Sequence, residues 1–239
     1  MRLASLGPAL LAAFTLAVAC AQEPAVTQDI VSAIPWPDQE RAEYVLLAPD
    51  SLEEEGRGVL AVARQGGRFE LRLRFENEEA SDESVVLVDG VTLRPVSVRR
   101  EFRGEKTRVI EGEYDAEEGT VQITETSDGD ERQVPLRLKE HYYDNESSLF
   151  LWRTVAFSEG YEASYYAALT NQNTQQVVTL EVVGIEEVTV PAGTFQAWRV
   201  EIRAAGVKQV AWYADTPERP LVQYDNSRQL FQLTGVVEP

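Results

Sequence analysis

The chain has 239 residues, with 40 acidic against 22 basic side chains and a formal net charge of -18. That length suits one domain with a single core, and that charge argues against nucleic acid as a partner, since phosphates would be repelled. A lone cysteine, Cys20, excludes an intramolecular disulfide, and a lone histidine, His141, excludes a histidine-rich metal centre.

Residues 1–19 read as an export signal. Arg2 supplies the positive start, Leu10 to Val18 the apolar run, and Ala17 and Ala19 the small residues needed near a cut. The run is too short to cross a hydrocarbon core, which takes roughly 20 helical residues. Two cleavages compete. Leu16-Ala17-Val18-Ala19-Cys20 resembles the bacterial lipobox, in which Cys20 is lipidated and becomes the first residue, anchoring the protein at the cell envelope. In a two-membrane bacterium, Ala21 after that cysteine resembles the mark of lipoproteins held on the periplasmic face of the outer membrane. The alternative is cleavage after Ala21, which leaves a soluble periplasmic or secreted protein.

Residues 20–33 are polar and aperiodic and are expected to form the lipidated N-terminus and a flexible tether. Residues 34–239 then form a single β domain. Arg68-Phe69-Glu70-Leu71-Arg72-Leu73-Arg74-Phe75-Glu76 alternates charged and apolar side chains, the mark of a strand with one buried face. The segments 120–124 and 198–202 repeat the pattern. Gln65-Gly66-Gly67, Asp89-Gly90, Arg103-Gly104, Glu118-Gly119, Ser127-Asp128-Gly129-Asp130 and Ala205-Gly206 punctuate it as hairpin turns. Some twelve strands and one helix near Glu146 to Arg153 are predicted, the helix capped by Asp144 or Asn145. The fold class is all-β with one short helix: a curled antiparallel sheet, barrel-like or a half-open β-barrel, because so long a sheet must bury one face.

No motif specifies a reaction, and no catalytic residue, metal site or cofactor is assigned. A serine triad would need His141 with Ser147 or Ser148, yet these serines start a helix and occupy no nucleophile elbow. Asp128-Gly129-Asp130-Glu131 lacks the spacing of a calcium loop and reads as a turn. Acidic runs such as Glu53-Glu54-Glu55 are read as solvated, although an acid pair for glycan hydrolysis could hide among them. The aromatic set offers more. Trp152 on the helix, Trp198 and Trp212 on strands, and Tyr165 could line an apolar pocket with the helix as plug, or simply fill the core.

Four ordered blocks resemble a family of bacterial exported proteins, domain of unknown function 3108. They are Trp36-Pro37-Asp38-Gln39-Glu40-Arg41-Ala42-Glu43-Tyr44 leading to Gly58-Val59-Leu60; Asp144 with Ser147-Ser148-Leu149, Arg153 and Gly160; Val183 through Phe195 into Ala197-Trp198-Arg199-Val200; and Val210-Ala211-Trp212-Tyr213-Ala214-Asp215 with Arg219-Pro220-Leu221. The likeness spans residues 34–225 and implies a barrel-like or half-open antiparallel β fold at the cell envelope, with no catalytic residues to carry over. The acidic stretch from Pro49 to Gly56 and the segment from Ser227 onward depart from it; Leu230, Phe231 and Leu233 are expected to add a strand. The functional expectation is a non-enzymatic envelope lipoprotein that binds an apolar or lipid-like small molecule. The alternatives are a scaffold with an envelope protein partner and an acid-pair glycan hydrolase.

Overall fold

The structure, a computed structural model, describes residues 26–237; the signal segment and Cys20 lie outside them. Fifteen strands form one sheet. They are β1 (Gln39–Leu47), β2 (Glu54–Gln65), β3 (Arg68–Glu76), β4 (Ser81–Asp89), β5 (Pro95–Arg103), β6 (Thr107–Asp115), β7 (Thr120–Ser127), β8 (Asp130–Arg137), β9 (Tyr142–Asp144), β10 (Tyr161–Leu169), β11 (Thr174–Val190), β12 (Gly193–Ala204), β13 (Val207–Ala214), β14 (Leu221–Asp225) and β15 (Leu230–Val237). All six turn segments singled out by their glycines connect consecutive strands.

Across the sheet the order is β8-β7-β6-β5-β4-β3-β2-β1-β15-β14-β13-β12-β11-β10-β9. Every pairing is antiparallel except β9 with β10. The strand expected after Ser227 is therefore central: β15 lies between β1 and β14, with Leu46 opposite Phe231. The two edges, β8 and β9, are consecutive in the chain and opposite in the sheet. A bulge between Val182 and Gly184 breaks the register of β11 with β12, and Gly184 takes φ +153° there, a value that L side chains rarely adopt.

The sheet curls until β6 meets the β9–β10 end, and side chains rather than a backbone ladder hold this seam. Tyr114 stacks on Tyr142 with ring centroids 6.0 Å apart. Arg94 Nη1 donates to the Tyr142 carbonyl at 2.6 Å, and Arg108 Nη2 to the Asn171 carbonyl at 3.1 Å. Gly112 lies at this seam: a Cβ there would sit 2.8 Å from Val98 and 3.2 Å from Val121 on the flanking strands, and 3.4 Å from the Thr170 methyl across the seam. Beyond the seam the β7–β8 hairpin shares a small separate core with β6: Ile110 of β6, Val121 and Ile123 of β7, with Leu136 and Leu138.

The predicted helix forms as three short turns: a 3-10 turn at Asn145–Ser147, α1 (Ser148–Leu151), and a second 3-10 turn at Trp152–Thr154. Asp144 caps it, accepting from the Glu146 N–H at 2.7 Å. Every residue from Glu146 to Val155 is buried, because the segment crosses the lumen of the curl and fills it. Arg153 pairs with Glu40 through two bonds of 2.6 and 2.8 Å, tying this plug to β1.

The expected flexible tether over residues 20–33 does not persist through its described part. Gln28 N donates to the Ser164 carbonyl at 2.8 Å, Ser32 N to the Thr154 carbonyl at 2.9 Å, and Ile30 is buried. Apolar Ile30 and Trp36 draw the segment onto the lumen, where Trp36 meets Phe69 and Phe150 edge-on. One end of the curl is thereby sealed.

Candidate functional site

The other end stays open. There the last or first residues of the strands form a rim, and the helical plug forms the floor of a cup. A cavity of about 190 Å³ is lined by Leu73 and Phe75 of β3, Val178 of β11, Tyr224 of β14, Phe231 of β15, and Leu149 and Trp152 of the plug. The aromatics run as a chain of contacts: Trp152 to Tyr224 at 6.0 Å, Tyr224 to Phe231 at 5.3 Å, Phe231 to Phe75 at 5.0 Å. Strand alternation places them inward, since Leu73, Phe75, Tyr224 and Phe231 each occupy the lumen-facing parity of their strands.

Polar side chains interrupt this lining at fixed points. Asn145, Ser148, Gln176, Gln209 and Asn226 all line the cup, with Tyr224 Oη donating to Gln209 Oε1 at 2.6 Å. Glu146 stands on the floor. A second cavity of about 250 Å³ shares Phe75 with the first and reaches Leu46, Asp82 and Phe102. A third, about 170 Å³, continues past Arg100 and Arg108 to Asn171. A larger hollow, about 670 Å³, lies outside the cup against Glu54, Glu55, Glu76, Glu78 and Glu79; it is a wide polar depression open to solvent and supplies no apolar wall. The acidic stretch from Pro49 to Gly56 ends here: its last three residues open β2, and Glu55 also lines the second cavity.

A half-buried ionic cluster lies beside the cup. Arg100 makes two bonds to Asp82, at 2.9 and 2.6 Å, and one to Glu146 Oε1 at 2.9 Å. Asp82 above all holds Arg100 firmly protonated, whereas burial raises the Glu146 carboxyl because desolvation outweighs the attraction of Arg100. Asp144, fully enclosed, is pushed up to about 7 by burial and by the nearby Glu146 charge, although Tyr114 Oη donates to its Oδ2 at 2.5 Å. Two carboxyls so close fit the description of an acid pair. The cup is lined by Glu146 and not by Asp144, however, so the geometry gives such a pair no shared approach to a substrate.

Of the four aromatics singled out as pocket residues, two come together. Trp152 Nε1 donates to Tyr165 Oη at 2.9 Å. Trp152 lines the cup; Tyr165 lies behind it, wholly buried, its hydroxyl pushed up to about 12 by desolvation. Trp198 sits at the sealed end, against Phe157 at 5.9 Å and bonded to Asp215 at 2.8 Å. Trp212 pairs across with Arg199 on the outer face, its indole N–H bonded to Glu186. The pocket is therefore built from Trp152 with Phe75, Tyr224 and Phe231. The β3 alternation signalled Phe75, but no sequence signal placed β14 and β15 opposite it.

His141 is partly exposed, its Nδ1 3.1 Å from Asp29. Asp128 and Gly129 both take positive φ in the two-residue turn between β7 and β8, as the hairpin reading requires. Among the described residues no cluster of histidine, cysteine and carboxylate side chains could hold a metal ion.

An open, curled, barrel-like sheet with one sealed end and one cup lined by aromatic and polar side chains alike is the class of protein these features define. The chain belongs to the family described as protein of unknown function (DUF3108), whose profile matches residues 49–226. The match begins later than the resemblance over residues 34–225 implied, leaving the Trp36–Tyr44 block before it. Among solved structures, the chain is similar to a β-barrel-like protein of domain of unknown function DUF1849 from Brucella abortus, at 11% identity and a TM-score of 0.56, covering 84% of this chain and 98% of that one. That likeness establishes the fold. A structure from Bacteroides fragilis NCTC 9343, described as having a YmcC-like fold, aligns at 12% identity over 88% of this chain and 100% of the other, with a TM-score of 0.31. No curated protein matches the chain.

Proposed function

We propose that this protein is a non-enzymatic binding protein of the cell envelope that takes an apolar or amphipathic small molecule into the open cup. The observation that carries this reading is the aromatic chain from Phe75 to Trp152 along one side of a cavity whose other side is polar. Ligand sites are concave and mostly apolar, with few orienting polar side chains. The first cavity alone is smaller than the roughly 300–1,000 Å³ of common ligand sites, and the adjoining one of about 250 Å³ extends it toward the rim. The anchoring role falls to Cys20, with residues 28–36 docking the domain close behind it.

Native mass spectrometry tests the cup. The full chain carrying Cys20→Ala, which removes the acyl anchor, is purified gently from its own host. A co-purifying mass that organic solvent strips off supports the reading, and Phe75→Ala together with Phe231→Ala should abolish it. A clean apo mass from both native and variant chains, with no uptake of added long-chain amphiphiles, would refute it. For the anchor, intact mass analysis of the membrane-extracted protein should show an acylated Cys20 as the first residue; a mature chain beginning at Gln22 would refute lipidation.

A further inference from the structure

Cys20 stands eight residues before Gln28, whose N–H donates to the Ser164 carbonyl and fixes the chain to β10. Fully extended, eight residues reach about 26–29 Å. An acyl anchor at Cys20 therefore keeps the domain within touching distance of the bilayer, and one of its surfaces faces the lipid. The exposed aliphatic side chains indicate which one.

Among the described residues nine large apolar side chains are exposed. Leu52, Phe102 and Val207 lie at the open end, in or beside the turns after β1, β5 and β12. The other six lie at the sealed end, and successive contacts string them into an arc. Val91 sits in the turn after β4, and Arg94 of that turn pairs with Asp29. Val26 stands two residues before the docked Gln28. β10 begins at Tyr161 opposite Val182, directly before Val183 and Ile185. Past Val182, β11 and β12 run on together as a two-stranded arm, and Ala192 N at its tip donates to the Leu233 carbonyl at 3.0 Å. From Leu233, β15 leads to Val236 and Val237. Val26 and Val91, at 89% and 77%, are the most exposed of the nine. Single exposed aliphatics are ordinary on a protein surface; six strung around one end, where the tether leaves, form a surface.

We propose that the sealed end is the membrane-facing surface of this protein. Val26, Val91, Val183, Ile185, Val236 and Val237 rest in the headgroup layer of the bilayer that holds Cys20, and the cup is turned away from it. This inference rests on Cys20 being the acyl anchor and adds the surface and orientation that follow. A nine-residue strand rises about 30 Å. The mouth of the cup thus opens well above its own bilayer, so a ligand enters from the aqueous side and not sideways from the lipid beneath.

Energy transfer on the acylated full chain, reconstituted into phosphatidylcholine vesicles with a headgroup-linked acceptor, tests the orientation. The sulfur of Cys20 is occupied by lipid, so a single introduced cysteine takes the fluorescent donor without competition. Glu159→Cys, exposed just before β10, marks the sealed end, and Glu78→Cys, exposed in the turn after β3, marks the open one. With the ends about 30 Å apart, transfer from residue 159 should exceed that from residue 78 at least about twofold. Serine at all six aliphatic positions should bring that ratio close to one, with circular dichroism showing the fold retained. Equal transfer from the two sites, or greater transfer from residue 78, would overturn the orientation. A ratio that survives the serine changes in a folded chain would overturn the role of the aliphatic arc. A chain that fails to float with the vesicles and whose Cys20 thiol takes up the dye would remove the anchor reading and this inference with it, leaving the cup reading standing.

Discussion

Asp144 does two jobs whose demands conflict. As the residue that starts the plug it must accept from the Glu146 N–H, which favours an acceptor; as a fully enclosed group beside Glu146 it resists ionisation. Its carboxyl titrates at about 7 in the folded chain against about 3.9 when unfolded. Between those values the folded state keeps a proton that the unfolded state has lost. Stability from this group is thus full below about pH 4, falls as pH rises, and is lost above about pH 7. Glu146, also raised, acts in the same direction. Asp144→Asn keeps the cap, since Asn is as good there as Asp, and removes the titration. Urea unfolding should therefore show the variant more stable than the native chain at pH 8, by on the order of 1–3 kcal/mol. Near pH 4.5 the difference should shrink toward zero. A constant difference across that range would mean that Asp144 is already ionised at low pH.

At the scale of elements, what holds the plug and the seam is a small number of buried contacts. Glu40 on β1 and Arg153 on the plug are almost fully buried and doubly bonded, and Arg153 also donates to the Glu218 carbonyl at 2.7 Å. Glu40→Ala leaves that guanidinium without its counter-charge in the interior, and loss of one partner of such a pair costs about 3–5 kcal/mol; thermal melting should register it as one of the largest single-site losses. Gly112→Ala tests the seam. Its methyl group would press on Val98 of β5 and Val121 of β7, which flank β6 just where the Thr170 methyl lies in contact across the seam, and overpacking of this kind costs about 1–3 kcal/mol. Hydrogen exchange should quicken at residues 142–144 of β9 before it quickens in β2 or β3. Uniform exchange across the sheet would show that the seam is not a separate weak point.

Much of this was legible in the sequence. Alternation found the buried face of β3, the glycine turns found the hairpins, and Asp144 with the apolar run after it found the plug. Three features were not legible, each for a physical reason. β9 is three residues long and buried on both faces, so Tyr142-Tyr143-Asp144 shows no alternation. Trp198 and Trp212 look equivalent in sequence, yet register sets Trp198 beside Tyr213 on the inner face and Trp212 beside Arg199 on the outer one. The pairing of Arg100 with Glu146 and of Arg153 with Glu40 was not foreseen, because nothing local marks a charged residue that a distant partner will cover. The pocket was accordingly half legible: Trp152 was found, but its neighbours Tyr224 and Phe231 depend on strand order, which alternation does not encode.

The whole molecule is organised around the pairing of β1 with β15. Removal of β15 would leave Tyr44 and Leu46 without their partners Leu233 and Phe231 and split the sheet through its middle. A chain ending at residue 226 should lose cooperative unfolding by circular dichroism. Removal of the β7–β8 hairpin, residues 116–138, takes an edge and uncovers Ile110 of β6, and should leave a folded, less stable protein. Retention of a cooperative melt without β15 would contradict the topology. The same pairing sets a clock on biosynthesis. Leu47 and Leu230 are paired neighbours, and at about 5–20 residues per second the roughly 180 residues between them take about 10–40 s to be made. Throughout that interval one edge of β1 has no strand to accept or donate its backbone hydrogen bonds. A nascent chain of this protein is thus an unfinished sheet with an adhesive centre, and whatever meets it first, a chaperone or another nascent copy, meets residues 39–47.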